Sequence, residues 1–307
     1  MTDETPNTNE IPTPNAVEDD RDLTDRKFYR ADQEAGFAES QAPRTPQTMH
    51  PAYRLAYRDT DFLMRDELRP VRFQLELLKT EMLLEEAGVG STLVIYGSAR
   101  IPPPDAVEEA LAGAEELPED EARVVRNLAA KARYYEEAYR LAKTASEKSI
   151  IEDGQRQFVI CSGGGPSIME AANRGASEAG AESIGLNIVL PHEQAPNPYV
   201  TPYLSFQFHY FALRKMHFLL RAKAVAVFPG GFGTFDEFFE LLTLIQTGKM
   251  KPMPILLFGE DFWKRVVDFE AIAVEGTITR KDLDLFRWCE TAEDAWDHIS
   301  AFYELDR

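Results

Sequence analysis

Short apolar runs recur along the chain from about residue 90, each closing on glycine or small residues. Residues 91–96 (STLVIY), 157–161 (QFVIC), 183–190, 222–228 (AKAVAVF) and 253–258 (MPILLF) are almost continuously apolar rather than alternating. That is the pattern of strands buried on both faces. Between them, residues 166–179, 210–221, 234–247 and 261–273 carry apolar positions at helical spacing. Strands alternating with helices predict βαβ units, and hence an α/β, Rossmann-like, doubly wound and mostly parallel sheet with helices on both faces. The pattern places this domain at 90–307. In such sheets, ligands bind at the carboxyl ends of the strands.

One stretch interrupts the alternation and two others precede it. Residues 104–150 form an acidic, Ala-rich insertion in which Val125, Leu128, Ala132, Tyr135, Tyr139 and Ala142 fall on one helical stripe. A crossover helix is required there, and the excess at 115–121 (EELPEDE) reads as a solvated loop. Residues 53–89 predict an N-terminal helical extension. There Met64, Leu68, Val71, Leu75, Leu78 and Met82 share a face, and Pro70 breaks the helix or opens a second one. That face either packs on the main domain or meets another subunit, and periodicity does not choose. Residues 1–52 hold scattered apolar positions among Asp, Glu, Pro, Thr, Asn and Gln. They read as a disordered or loosely docked acidic arm, with a short basic-aromatic segment (RKFYR) at 26–30.

Charge narrows the partners. Lys and Arg number 33 against 52 Asp and Glu, a formal net charge of −19. This argues against nucleic-acid polymers and anionic membranes as partners, without excluding a local pocket for a small anion. The first residues lack the apolar core of a signal peptide, and no apolar stretch is long enough to span a bilayer, so a soluble, cytoplasmic protein is expected. Cys161 and Cys289 make no disulfide framework, and neither belongs to a cluster with metal-ligand spacing; no metal site is expected.

The candidate chemistry lies in the loops. Pro229-Gly230-Gly231-Phe232-Gly233-Thr234 joins a strand to a helix. Glycines at such a junction present backbone N–H groups at a helix N-terminus, a site suited to phosphate. Thr234 can cap the helix and donate its hydroxyl. The plain alternative is a tight turn with no ligand. A second loop, Gly163-Gly164-Gly165, follows another strand, with Pro166 opening the next helix. A dinucleotide fingerprint fails there, because Ile168 stands where the third glycine belongs. The strand after that helix ends in Asn187 rather than in an acid for a ribose, and neither loop is an ATPase P-loop. Glu237 follows Thr234 at capping-box spacing, which by itself explains its presence. Arg214 and Lys215 interrupt a strongly apolar helix, where a basic pair must face solvent or an anion. His209 and His217 flank them and read as packing or surface histidines.

Together, Gly163-Gly164-Gly165, Arg214-Lys215 and PGGFGTFDE (229–237) resemble the LONELY GUY (LOG) family of nucleoside 5′-monophosphate phosphoribohydrolases, many of them labelled "possible lysine decarboxylase". The likeness runs over about 90–305 and is to the longer bacterial branch. It implies Arg214 and Glu237 as the catalytic pair and Gly230, Gly231, Gly233 and Thr234 as the phosphate loop. It also implies a nucleotide pocket lined by Gly97, Ser98, Gly163, Gly164, Gly165, Glu170 and Lys215. The implied reaction hydrolyses the N-glycosidic bond of a purine or cytokinin-type nucleoside monophosphate, with no cofactor, in a homodimer or larger homo-oligomer. A non-catalytic nucleotide or cofactor carrier on the same fold is the alternative. Two departures stand out: Ser167 where that branch commonly has glycine, and Phe232 where compact members often have Tyr. No Schiff-base lysine motif for pyridoxal phosphate is evident, which weakens the decarboxylase label.

Overall fold

The computed structural model describes residues 28–191 and 195–305. The described chain divides into two compact units at Arg72/Phe73. In the first, residues 28–30 lead into helix α1 (Ala31–Gln41). Composition alone reads that stretch as arm, yet its Ala, Glu and Gln are good helix formers. The Gln33 carboxamide also accepts from the Arg30 N–H at 3.1 Å and closes the helix start. The rest of the expected arm, residues 1–27, and part of the 26–30 segment lie outside the described residues. Helix α2 (Thr60–Leu63) is capped by Asp59, whose carboxylate accepts from Phe62 N–H at 3.2 Å. Helix α3 (Arg69–Glu86) begins one residue before Pro70, so the proline sits in the first turn, where its missing N–H costs nothing.

The second unit is built on a parallel seven-stranded sheet. Its strands, with those of a small hairpin, are β1 (Thr92–Tyr96), β2 (Ile151–Glu152), β3 (Gln155–Arg156), β4 (Val159–Ser162), β5 (Ser183–Ile188), β6 (Ser205–Phe208), β7 (Ala222–Val227), β8 (Ile255–Phe258) and β9 (Arg287–Cys289). The large sheet runs β6-β5-β4-β1-β7-β8-β9 with every pairing parallel, while β2 and β3 pair with each other, antiparallel, and Arg156 of β3 makes a further parallel bridge to Val89. The chain builds outward from β1 to β6, then returns to the other side of β1 at β7. That reversal makes the Rossmann-like switch point, with a crevice at the carboxyl ends. Five of the seven strands coincide with the apolar runs; β6 and β9 are short edge strands that the pattern missed.

Alternate residues of the central strands feed two cores. Val94, Cys161, Val225 and Leu257 face one layer; Leu93, Ile95, Ile160, Ala226 and Leu256 face the other. This two-sided burial is why the runs do not alternate in polarity. The intervening helices are α4 (Val107–Ala114), α5 (Glu119–Ala129), α6 (Arg133–Glu147), α7 (Ile168–Glu178), α8 (Phe211–Leu220), α9 (Phe232–Gln246), α10 (Glu260–Val266), α11 (Phe269–Val274) and α12 (Ala292–Tyr303). Helices α6, α7 and α12 cover one face; α3, α8 and α9 cover the other.

Three helical expectations change. The stripe from Val125 to Ala142 is divided between α5 and α6 by a turn at residues 130–132, and α5 already starts inside the acidic stretch expected as loop. The helix expected at 261–273 is two helices, because Asp268 accepts from Ala271 N–H at 2.9 Å and starts a second one. On α3 the packed row is Phe73, Leu77, Thr80 and Leu84, whereas Val71, Leu75, Leu78 and Met82 are exposed. Both rows have helical spacing, and the row the apolar pattern marks is not the one that packs against the core beneath α3. Among the described residues, no helix is long and apolar enough to cross a membrane.

Candidate functional site

The loop after β7 starts α9 two residues earlier than the sequence suggested. Gly231 is the N-cap, and Phe235 N–H makes the first bond back to Gly231 C=O at 3.0 Å. The N–H groups of Phe232, Gly233 and Thr234 precede any intrahelical partner and carry the positive end of the helix dipole. Thr234 is therefore inside the helix, not its cap. It is buried, and its Oγ1 fills the space where a side chain on Gly230 would begin, 2.2 Å from that point. Gly231 and Gly233 have open space beside them, so their lack of side chains leaves room for a ligand over the free amides. Phe232, between them, is 96% exposed.

Glu237 consequently lies in the second turn and makes no capping box. Its carboxylate accepts from Arg214 Nη1 at 3.3 Å, with the two side chains 12% and 13% exposed. Burial pushes the Glu237 carboxyl up to about 7, partly offset by Arg214, while Asp236 and Glu240 push the same way as burial. Arg214 is fixed from three sides. Its Nε donates to Leu186 C=O at the end of β5 (2.6 Å), its Nη1 reaches Glu237, and its guanidinium lies 5.0 Å from the Phe218 ring centroid.

The Gly163–Gly165 loop closes the site from β4. A side chain on Gly163 would meet Arg214 Nη2 at 2.6 Å and Met169 Sδ at 2.8 Å. Gly164 adopts a left-handed φ of +72°, which glycine alone adopts without strain. A buried amide network holds this loop. Ser162 Oγ donates to Asn173 Oδ1 at 2.7 Å and accepts from Gly164 N–H at 3.0 Å. Asn197 Nδ2 donates to the carbonyls of Gly164 and Gly165 and to Asn173 Oδ1. Neither asparagine was singled out in the sequence. The readable sign was Asn173, a polar residue on the buried, alanine-rich face of α7.

A cavity of about 400 Å³ runs along these carboxyl ends, with Gly163, Met169, Asn187, Phe211, Arg214 and Gly233 among its walls. Its volume suits a nucleotide-sized ligand. Gly97 and Ser98 stand on the neighbouring strand end and are not among the cavity walls. Ile168 fills the space beside Gly97, and Ser98 N–H donates to Pro229 C=O at 3.1 Å, tying the β1 and β7 loops together. Two expected pocket residues turn elsewhere. Glu170 accepts from Tyr135 Oη of α6 at 3.3 Å and is not among the cavity walls. Lys215 Nζ pairs with Asp236 (3.0 Å) and Glu240 (3.1 Å) along α9. His217 is buried against Phe208, with Glu81 3.2 Å from its Nδ1, and burial lowers its pKa; His209 is exposed. Cys161 and Cys289 are free and buried, and among the described residues no cluster of three His, Cys, Asp or Glu groups could hold a metal. A roomier cavity of about 550 Å³, at the amino end of β7, has mostly apolar walls and contains neither Arg214 nor Glu237.

No curated protein matches the chain in sequence. Among solved structures, a structural-genomics target, TM1055, is 18% identical, with 69% of this chain and 99% of that one covered at a TM-score of 0.43. Two structures of the molybdenum cofactor carrier protein from Chlamydomonas reinhardtii are similarly distant. One is 21% identical over 56% of this chain and 88% of that one, with a TM-score of 0.35. The other is 18% identical over 70% and 96%, with a TM-score of 0.40. A family model described as "Possible lysine decarboxylase" matches residues 169–299, which include Arg214, the α9 loop and Glu237 but not the loops after β1 and β4. Over residues 169–299, less than half of its length, the chain is similar to that family.

Proposed function

We propose that the chain hydrolyses the N-glycosidic bond of a nucleoside 5′-monophosphate, releasing the free base and ribose 5-phosphate. The observation that carries the reading is the Arg214–Glu237 pair, held 3.3 Å apart beside the free amides of α9. Those amides suit the 5′-phosphate. Breaking the C1′–N bond builds positive charge on the ribose, as in other glycosidic cleavages, and a buried carboxylate stabilises that charge. The water oxygen bonds to C1′ while the C1′–N electron pair departs with the base. Glu237 takes the water proton, and the base nitrogen is protonated from Glu237 or solvent, restoring the carboxylate. A carboxyl that titrates near 7 is matched to this exchange at neutral pH. Arg214 orients Glu237 and contributes positive charge for the substrate's phosphate or ribose hydroxyls.

Amine decarboxylation through pyridoxal phosphate fits less well. It needs a lysine at the reaction centre. Among the described residues no lysine is a wall of the 400 Å³ cavity, and Lys215 is engaged by two carboxylates.

The test incubates the protein with AMP, GMP, CMP and an N6-prenylated AMP and measures free base. Release from at least one, reduced on the order of 100-fold or more in Glu237→Gln, supports the proposal. No release from any substrate refutes it, and tight retention of a nucleotide without turnover would point to the carrier alternative.

A further inference from the structure

The cavity beside Arg214 contains a polar group that the proposed chemistry leaves unused. Asn187, near the end of β5, is one of its walls. Its carboxamide lies over the glycine loop, with Nδ2 and Oδ1 both 2.7 Å from where a side chain on Gly164 would begin. Left-handed Gly164 thus makes room for this amide. Among the described residues the Asn187 side chain has no hydrogen-bond partner, in contrast to Asn173 and Asn197, whose amides are consumed in holding the loop. An amide in a half-buried wall without a partner is costly unless a ligand or water completes it.

The cavity has direction. Gly233 marks the end where the free amides of α9 receive an anion, and Arg214 stands at the catalytic pair. Met169, Leu190 and Phe211 add apolar and aromatic surface, and Asn187 adds one adaptable amide. Apolar walls with one donor-and-acceptor group suit a flat heterocycle whose edge carries both kinds of atom.

We infer that Asn187 reads the edge of the substrate's base. The inference rests on the nucleotide reading above and extends it to base selection. A carboxamide pairs side by side with the amino-and-ring-nitrogen edge of adenine. Rotated by half a turn, it can also face the oxo-and-N–H edge of guanine. Nothing in the fold locks its orientation, so the parent protein accepts both purines. An aspartate at the same place can only accept. It favours the two adjacent donors of guanine and repels the ring nitrogen of adenine.

The experiment compares the parent, Asn187→Asp and Asn187→Leu with AMP and GMP, in both steady-state hydrolysis and equilibrium binding by calorimetry. Asn187→Asp should shift the AMP:GMP ratio of kcat/KM toward GMP by about tenfold or more. Asn187→Leu should raise KM for both by about tenfold with a smaller change in kcat. Both variants should fold, since the amide supports no other side chain, and circular dichroism verifies this. A merely structural Asn187 would alter stability and leave the ratio unchanged; an unchanged ratio overturns the inference. If the parent releases no base, the hydrolase reading fails, and the AMP:GMP binding ratio then decides. A shift in Asn187→Asp sustains base reading, while an unshifted ratio, or no binding of either nucleotide to the parent, overturns it.

Discussion

Replacing Glu237 by Gln should make the protein more stable at pH 8 than the parent, and the two equally stable near pH 4.5. The side chain is 13% exposed, and burial raises its carboxyl from an ordinary 4.5 to about 7. Between those values the folded chain binds more protons than the unfolded one, so the parent loses stability as pH rises through the window. At 1.36 kcal/mol per pH unit, the interval of about 2.5 corresponds to about 3 kcal/mol, fully expressed above pH 7. Gln has nearly the same shape and no charge to desolvate, so this pH dependence disappears from the variant. Arg214 retains its bond to Leu186 C=O and its position over Phe218. The value of about 7 already includes the attraction of Arg214, so a gain of about 3 kcal/mol is expected at pH 8. Urea denaturation of both proteins at pH 5 and pH 8 measures it. An equal difference at the two pH values would refute the reasoning, since it would mean that Glu237 does not titrate in the window. A variant that gains stability while losing turnover would also separate the role of this carboxylate from mere support of the fold.

Two further outcomes follow from the same geometry. Under the hydrolase reading, kcat/KM, which reports the free protein, should rise with pH and level off above about 7 as the Glu237 carboxylate forms; a flat profile from pH 5.5 to 8.5 would remove Glu237 from the proton-accepting step. Ser167 has a φ of 64°, a strain of about 1–3 kcal/mol for a residue with a side chain, while its Oγ donates to Ile101 C=O at 2.6 Å. Ser167→Gly should therefore match or exceed the parent in thermal denaturation while Ser167→Ala loses about 1 kcal/mol, and a glycine variant less stable than the alanine one would contradict this.

What the sequence made legible follows from which signals are local. The strands β1, β4, β5, β7 and β8 were readable because central parallel strands are apolar on both faces. The edge strands were not, since β6 (SFQF) and β9 (RWC) carry polar residues on their open sides. The β2–β3 hairpin, just after the insertion, has a readable sign in Asp153-Gly154, whose positive φ values suit a two-residue turn. Motif residues pointed to Arg214, Glu237 and the α9 loop, and the fold brings the first two together as an ion pair. Spacing misassigned Glu237 to a capping box, because moving the helix start from Thr234 to Phe232 changes every position count after it. Glu170 and Lys215 show the same limit: both are near the strand ends in the chain, and their side chains turn to Tyr135 and to the α9 carboxylates. Asn173 had a readable sign in its place on the buried face of α7, but Asn187 and Asn197 had none, because an asparagine in a sequence does not disclose whether its amide is spent or free.

The acidic balance of the chain and an anionic ligand are compatible only if the site's charges are arranged locally. Asp236 and Glu240 sit on the same helix as Glu237 and raise its pKa, so they also oppose a phosphate nearby. Lys215 pairs with both and takes up part of that negative charge without being a wall of the cavity. What faces the ligand is then the end of α9, whose amides carry partial positive charge without a counter-ion, and Arg214, whose charge is shared with Glu237. A phosphate bound there adds negative charge close to Glu237 and raises its pKa further, so substrate binding and protonation of this carboxyl reinforce one another. Under the hydrolase reading, the proton that leaves with the base is therefore best retained while the nucleotide is bound, and the carboxylate returns as the phosphate departs. Under the same reading the coupling needs no excess of basic residues, so a net charge of −19 is compatible with a small anionic ligand.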